Sequence, residues 1–185
     1  NFTNNRFKDT VYVTGNPHTH RLCKGSFYKI ISVWREAWDE SLNTVTPKTM
    51  LRYALKAEKR YPDKKIIVHF MQPHQPYIKD PYLDPYGYLR SFIREEGNKS
   101  PEHMKRTPLK RAKAGELSFE EVYEAYKRNL EAVIPYAFSL ARGLKGKSVI
   151  TADHGEAFNE WVFPFPFRVV EHPTSVRIPS LWLSA

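Results

Sequence analysis

The chain has 185 residues, which is the length of one domain or of a large part of one. Hydrophobic residues make up 41% and aromatic residues 14%, so the composition excludes a disordered chain and predicts a packed core. The net charge of +9 suggests an anionic partner, the single cysteine (Cys23) excludes an intrachain disulfide framework, and no apolar run reaches the length of a membrane span.

The first part of the chain predicts two strands separated by two helices. Residues 10–14 are β-branched or aromatic and end at a Gly-Asn-Pro turn, which is typical of a strand that runs into a loop. Apolar residues spaced three and four apart predict a helix in 26–39, and the same period predicts a second helix from Thr46 to Tyr61-Pro62. The almost continuously apolar run 66–71 is typical of a central strand covered on both faces.

The second part begins with an irregular segment, 80–115, that has no sustained period and is interpreted as a basic insertion or lid. Ser118 and Glu121 fit a capping box at the start of a long amphipathic helix. A short buried strand is predicted at 148–151, and a last apolar run covers 178–183. This alternation predicts an α/β fold class with a doubly wound, mostly parallel sheet flanked by helices.

Two adjacent side chains follow the predicted strand 148–151. In parallel sheets, ligand-binding groups collect in the loops beyond the carboxyl ends of the strands. The carboxylate of Asp153 and the imidazole of His154 together suit a divalent ion such as Zn²⁺ or Mn²⁺. The same residues also fit a helix N-terminus, with Asp153 as the cap and His154 on the surface.

A further histidine, His74, lies between Pro73 and Pro76 in the loop after the second strand. Prolines restrict the loop, so the His74 imidazole could donate a hydrogen bond to a phosphoryl or sulfuryl oxygen or act as a general acid. A turn whose histidine packs on the sheet edge fits equally well.

The remaining histidines are assigned to other roles. His69, inside an apolar run, is predicted to be a hydrogen-bonded core residue. His172 is weighed evenly between contact with a metal or substrate and a plain surface role, and three others are predicted to lie on the surface: His18, His20 and His103.

Several segments taken together resemble a known family. They are the strand and loop ending in Met-Gln-Pro-His-Gln-Pro-Tyr (71–77), the long helix, the run Ser-Val-Ile-Thr-Ala-Asp-His-Gly-Glu-Ala (148–157), and Glu-His-Pro followed by Val-Arg-Ile-Pro-Ser-Leu-Trp. From about residue 10 to its end, the chain is similar to the C-terminal part of a sulfatase-like protein of the alkaline phosphatase superfamily, and looks closest to its archaeal branch.

This resemblance implies an alkaline phosphatase-like fold that holds one or two divalent metal ions (Zn, Mn, Ca or Mg) and cleaves or transfers sulfate or phosphate esters. It implies that Asp153 and His154 are metal ligands and that His172 is a further metal or substrate contact. It also implies that His74 is the catalytic contact to the sulfuryl or phosphoryl group.

One departure from the family pattern concerns the nucleophile. Members open with a strand that carries an acidic metal ligand, followed by a Ser, Thr or formylglycine-forming Cys, and nothing before Thr10 supplies either feature. Cys23 lacks the Cys-x-Pro-x-Arg context that formylglycine formation needs. We therefore expect residues 1–185 to be one N-terminally incomplete domain without its first strand and nucleophile loop.

These observations favour a metal-dependent hydrolase or transferase acting on an anionic small-molecule or glycan ester. The alternative, motivated by the missing nucleophile, is a non-catalytic domain of the same fold that binds anionic glycans or acts as a scaffold. A nucleic-acid partner is not favoured, because the chain carries no recognised nucleic-acid motif.

The basic residues are concentrated in one segment. Residues 99–115 carry six basic side chains and one acidic side chain, and so contribute +5 of the net +9. The remaining +4 is ordinary for a domain of this size. We therefore expect the segment 80–115 to act as a mobile lid that attracts an anionic substrate.

Overall fold

The computed structural model describes residues 6–85, 89, 106–152, 156, 158 and 181–183. The helices and strands follow in chain order, with two short 3-10 turns at Val33–Arg35 and Pro81–Leu83. They are β1 (Phe7–Thr14), α1 (Pro17–Leu22), β2 (Phe27–Ser32), α2 (Pro47–Arg60), β3 (Lys65–His69), α3 (Pro108–Lys113), α4 (Phe119–Gly143), β4 (Ser148–Ile150) and β5 (Leu181–Leu183).

β1 is the central strand of a three-stranded parallel sheet with the order β2-β1-β3. Its last five residues are all buried, as expected for a strand covered on both faces. The prediction that 66–71 forms the central strand is wrong for the described sheet, because β3 pairs only with β1 there and its residues are half-buried or exposed.

Helical segments cover both faces of this sheet. On one face, Val11 and Val13 of β1 pack with Met50 and Ala57 of α2. On the other face, Tyr12 and Phe27 stack with their ring centroids 4.7 Å apart, and Cys23, which directly follows α1, packs beside them. The chain therefore has an α/β fold built on a small parallel sheet with flanking helices.

The helix predicted for 26–39 is wrong, because this segment forms β2 and a 3-10 turn. Ile30 and Ile31 pair with Tyr12 and Val13 of β1, and β-branched residues suit such pairing. Trp34, which follows β2, packs against the same core as Ile31. The apparent helical spacing thus combined side chains from the two faces of one strand, since Phe27 and Ile30 pack beside Tyr12, with side chains that follow the strand.

Both long helices begin where their capping residues predict. Thr46 caps α2 by accepting a hydrogen bond from the Thr49 backbone N–H, and a proline follows it. Ser118 and Glu121 form the predicted capping box of α4: the Ser118 hydroxyl accepts from the Glu121 N–H at 3.0 Å, and the Glu121 carboxylate accepts from the Ser118 N–H at 2.8 Å.

The C-terminal strands form a separate pair. β4 pairs with β5 in antiparallel register within the described residues, and not with the three-stranded sheet. The strand predicted at 148–151 is present, but it is not buried, because Val149 is 44% exposed.

The described ends of the segment 80–115 are ordered and pack on α4. Leu83 of the second 3-10 turn and Ala112 of α3 share a buried cluster with Val122 and Ala125 of α4. Residues 86–88 and 90–105 lie outside the described part of the chain, so the lid interpretation stays a prediction. Helix α3 itself was not predicted.

Among the described helices, none combines the length and the apolar character needed to cross a membrane.

The burial of β1 leads to a stability prediction. Val11→Ala removes two methyl groups from a side chain with no exposed area, so we expect the free energy of unfolding to fall by about 2 kcal/mol. Val149→Ala is the matched control, because this valine is 44% exposed and its truncation should change stability by less than about 0.5 kcal/mol. Urea unfolding measures both, and equal losses in the two variants would contradict the central position of β1.

Candidate functional site

The loop that follows β3, residues 70–78, lies at the carboxyl edge of the parallel sheet. The N–H of Gly15, just after β1, donates to the carbonyl of His69 at 3.1 Å, which brings the ends of β1 and β3 together. A Cβ at Gly15 would lie 3.3 Å from Sδ of Met50, so glycine here lets the beginning of α2 pack closely against this edge.

The shape of this loop is set by one buried amide, that of Asn129 on α4. Asn129 has no exposed area, and its Nδ2 lies within 2.9–3.3 Å of three loop carbonyls, those of Pro73, His74 and Pro76. Its Oδ1 accepts from the Ile78 N–H at 3.1 Å. Since buried backbone groups need partners, this amide stabilises the backbone on which His74 is carried.

The role of Asn129 was not predicted from the sequence, although its position on the helix indicated one. It lies seven residues after Val122 and four before Val133, both of which are buried apolar residues of α4. A polar amide on the buried stripe of a helix indicates a hydrogen-bonding role in the interior.

A second contact ties the same loop region to α4. The guanidinium of Arg128 donates two hydrogen bonds to the Asp80 carboxylate, each 2.9 Å long. Such a paired arrangement is the strong form of this ion pair, and the Asp80 side chain is only 10% exposed. Two neighbouring residues of α4 therefore hold both the His74 loop and the start of the segment 80–115.

His74 contacts the carboxylate of Glu156, which comes from the segment after β4. Nδ1 of His74 is the atom that meets Oε1 of Glu156, and the two residues are 82 positions apart in the sequence. The His74 side chain is 43% exposed and that of Glu156 is 19% exposed. The imidazole is thus accessible to a ligand, while the carboxylate lies behind it.

This contact decides which nitrogen of His74 can face a ligand. A carboxylate without a proton only accepts hydrogen bonds, and toward such a partner Nδ1 of His74 is the donor. Nε2 is then the nitrogen that this contact leaves open to a ligand. Glu156 was quoted only as part of a motif at the sequence level and had no role assigned there.

The charge of the Glu156 carboxylate acts on two tyrosines, since it raises the pKa of both Tyr77 and Tyr126. Phe158, two residues later, packs edge-on against Tyr126 and Tyr123 of α4, with ring centroids 5.1 and 5.5 Å apart. Burial raises the pKa of the Tyr77 phenol, and the Glu156 carboxylate raises it further. Tyr77 therefore keeps its proton at neutral pH, within reach of the negative charge of Glu156.

The structure describes only some of the other histidines for which the sequence predicts a role. His69 is hydrogen-bonded as predicted, since its Nδ1 lies 2.6 Å from the Tyr12 hydroxyl. His18 is half-buried at the beginning of α1, where its backbone N–H donates to Asn16. Three predicted ligands or contacts lie outside the described residues, as does His103: Asp153, His154 and His172.

Metal binding stays a prediction for the same reason. Within the described residues, no three His, Cys, Asp or Glu side chains meet as a metal site would need. The only side chains of this kind that the candidate site brings into contact, among those described, are His74 and Glu156.

Comparisons of the chain with protein-family models, with curated protein sequences and with solved structures found no match. The geometry of the site consists of a loop hydrogen-bonded to Asn129, an accessible imidazole and a less exposed carboxylate in contact with it.

The amide of Asn129 leads to a second prediction. Asn129→Ala leaves the Ile78 N–H and buried carbonyls without their partner, so we expect a loss of about 3 kcal/mol in the free energy of unfolding. Amide hydrogen exchange at Ile78 should also become faster. Glu131→Ala, at an exposed position of the same helix, is the control and should change neither quantity. Unchanged exchange at Ile78 in Asn129→Ala would contradict the role of this amide.

The raised pKa of Tyr77 leads to a prediction of pH dependence. The folded state holds the Tyr77 proton above the ordinary tyrosine pKa of about 10, so its contribution to stability is full below that pH and is lost as the pH rises above it. We expect the free energy of unfolding of Tyr77→Phe to fall less steeply between pH 9 and 11. Tyr82→Phe, at a 63% exposed position, should follow the unmodified protein. Identical slopes for Tyr77→Phe and the unmodified protein would refute this assignment.

Proposed function

We propose that this chain belongs to a metal-dependent enzyme that hydrolyses or transfers phosphate or sulfate esters, with an alkaline phosphatase-like fold. The contact between His74 and Glu156 supports this function most directly. It brings together two loops that both follow strands, and both belong to segments that resemble the sulfatase-like family.

The residues before Glu156 supply suitable metal ligands. Asp153 and His154 precede Glu156 by three and two residues, and a carboxylate with an imidazole is a donor set that suits Zn²⁺ or Mn²⁺. In this proposal Asp153 and His154 hold the ion, and His172 is a further metal or substrate contact. When bound, such an ion supplies Lewis acidity at the ester oxygens.

His74 is the substrate-binding residue in this proposal. With Nδ1 in contact with Glu156, Nε2 is the ring atom that meets the substrate, and a proton carried there is donated to a nonbridging phosphoryl or sulfuryl oxygen. A donor aimed where negative charge increases stabilises the transition state more than the ground state. Glu156 orients the ring, and Asn129 holds the backbone that carries it, so little reorganisation is needed when a substrate binds.

Turnover of the full-length gene product tests this function. The substrates are 4-nitrophenyl phosphate and 4-nitrocatechol sulfate, assayed with added Mn²⁺ or Zn²⁺. Asp153→Ala should abolish metal-dependent turnover, and His74→Ala should lower kcat by about 10²-fold because it removes the donor at the reacting group.

The carboxylate has a matched control. Glu156→Gln should lower kcat by about tenfold, because an amide holds the His74 ring less firmly than a carboxylate. Glu131→Gln makes the same chemical change at an exposed position of α4 and should leave kcat unchanged. Full activity of Asp153→Ala would overturn the proposed function. Glycan binding without any turnover would instead favour the non-catalytic alternative.

A further inference from the structure

The exposed face of α2 consists entirely of basic residues. Five of its fourteen residues are exposed, and all five are lysine or arginine. They are Lys48, Arg52, Lys56, Lys59 and Arg60. The only acidic residue of the helix is Glu58, which is half-buried. We call these five residues the cationic face of α2.

The packing of the buried side of α2 explains why the helix forms there, but it does not explain why the exposed side is basic. Met50, Ala54 and Ala57 are buried, and Met50 and Ala57 pack in the core beside β1. Nothing in that packing requires lysine or arginine at every exposed position. The exposed positions of α4 show the contrast, because they include Glu120, Leu130 and Ser139.

The cations are ordered along the helix. Lys48, Arg52 and Lys56 are four residues apart, so successive charges rise by about 6 Å along one side of α2. Among the described residues, none of the five forms an ion pair with a carboxylate. A row of regularly spaced and unneutralised positive charges is complementary to a linear polyanion.

Tyrosine rings hold several of these cations. The ring of Tyr53 has Arg52 at 5.5 Å and Lys56 at 5.9 Å from its centroid, and the guanidinium of Arg60 lies 5.7 Å from the ring of Tyr61. The Tyr53 hydroxyl is fixed in turn by the Glu36 carboxylate, at 3.1 Å. These contacts restrict the cations before a ligand arrives.

The cationic face leads toward the candidate site. The carbonyl of Val45, just before α2, accepts a hydrogen bond of 3.4 Å from Nε2 of Gln72, in the loop that carries His74. From there the helix runs for about 20 Å to Arg60, beside the residues that open β3. A linear ligand bound near His74 could therefore continue along α2.

We infer that the cationic face of α2 binds a linear, sulfated or phosphorylated glycan. One ester group of this glycan is processed at His74, and the rest of the glycan lies along α2. This inference rests on the proposed function and names its substrate class. A membrane surface fits less well, because α2 exposes no apolar side chain that could insert. A single-stranded nucleic acid fits less well, because the tyrosine rings beside this face are already in contact with cations and offer poor stacking platforms.

A binding experiment tests the inference with heparin octasaccharide as the probe. The dissociation constant is measured by isothermal titration calorimetry at several salt concentrations. Lys48→Glu, Arg52→Glu and Lys56→Glu combined should weaken binding by at least ~30-fold and should flatten the dependence of affinity on salt, because fewer counterions are released.

The control variant changes the same net charge elsewhere. Arg142→Glu, Lys145→Glu and Lys147→Glu combined alter three exposed basic residues at the end of α4 and beyond, and should weaken binding by less than about threefold. Thermal unfolding checks that both variants are folded. If the first does not fold, the milder Lys48→Gln, Arg52→Gln and Lys56→Gln combination replaces it and should still weaken binding by about tenfold.

Several outcomes would overturn the inference: no heparin binding by the unmodified protein, equal losses in the two charge-reversed variants, or unchanged affinity of the α2 variant. Equally tight, α2-dependent binding of an eight-nucleotide single-stranded DNA would replace the glycan with a nucleic acid. The binding experiment does not require turnover, so a failure of the inferred glycan binding is distinguishable from a failure of the proposed catalytic function. Heparin binding through α2 without ester turnover would leave the inferred surface and remove the catalytic role.

Discussion

The buried amide of Asn129 is the interaction on which the candidate site depends. Residues 73–78 leave the sheet at the end of β3, so their backbone polar groups no longer have strand partners. Carbonyls of this loop and the Ile78 N–H meet a single side chain on α4 instead. Because buried backbone groups are costly to leave unpaired, the loop has this shape only while α4 is in place.

Both a local cap and tertiary packing hold α4 in position. Its capping box defines where the helix begins, and Val122 and Ala125 bury its first turns against Leu83 and Ala112. The same helix then contributes Arg128, which pairs with Asp80, and the Tyr123 and Tyr126 rings, which pack against Phe158. One element therefore supports the loop of His74 and lies against the segment that brings the carboxylate to its imidazole.

The distribution of positive charge changes once the fold is known. At the sequence level, the charge of 99–115 stood out and the remaining +4 looked ordinary. In the structure, α2 concentrates five basic residues on its exposed face, while Arg111 of the basic segment is engaged by Glu116 and by the carbonyl of Leu83. Sequence counting missed the face of α2, because its basic residues alternate with the apolar residues of the core.

The candidate site was only partly predictable. His74 stood out because it lies between prolines beyond an apolar strand, and His69 because it lies within that strand. Asn129 and Glu156 did not stand out, since their roles arise from long-range contacts. The partners of Asn129 are 51 to 56 positions away in the sequence, and the partner of Glu156 is 82 positions away. No spacing rule connects such pairs, and only the packing of α4 against the sheet region brings them together.

Local interactions were the part that the sequence by itself determined. The caps of α2 and α4 act within three residues, and the β-branched run of β1 needs only its own composition to favour a strand. Tertiary structure alone decided that residues 27–32 form a strand, that β1 and not β3 is central, and that His74 meets Glu156. The physical reason is that strand pairing and side-chain contacts between distant residues form only when the whole chain buries its core, and such pairing outweighs a weak local helical pattern.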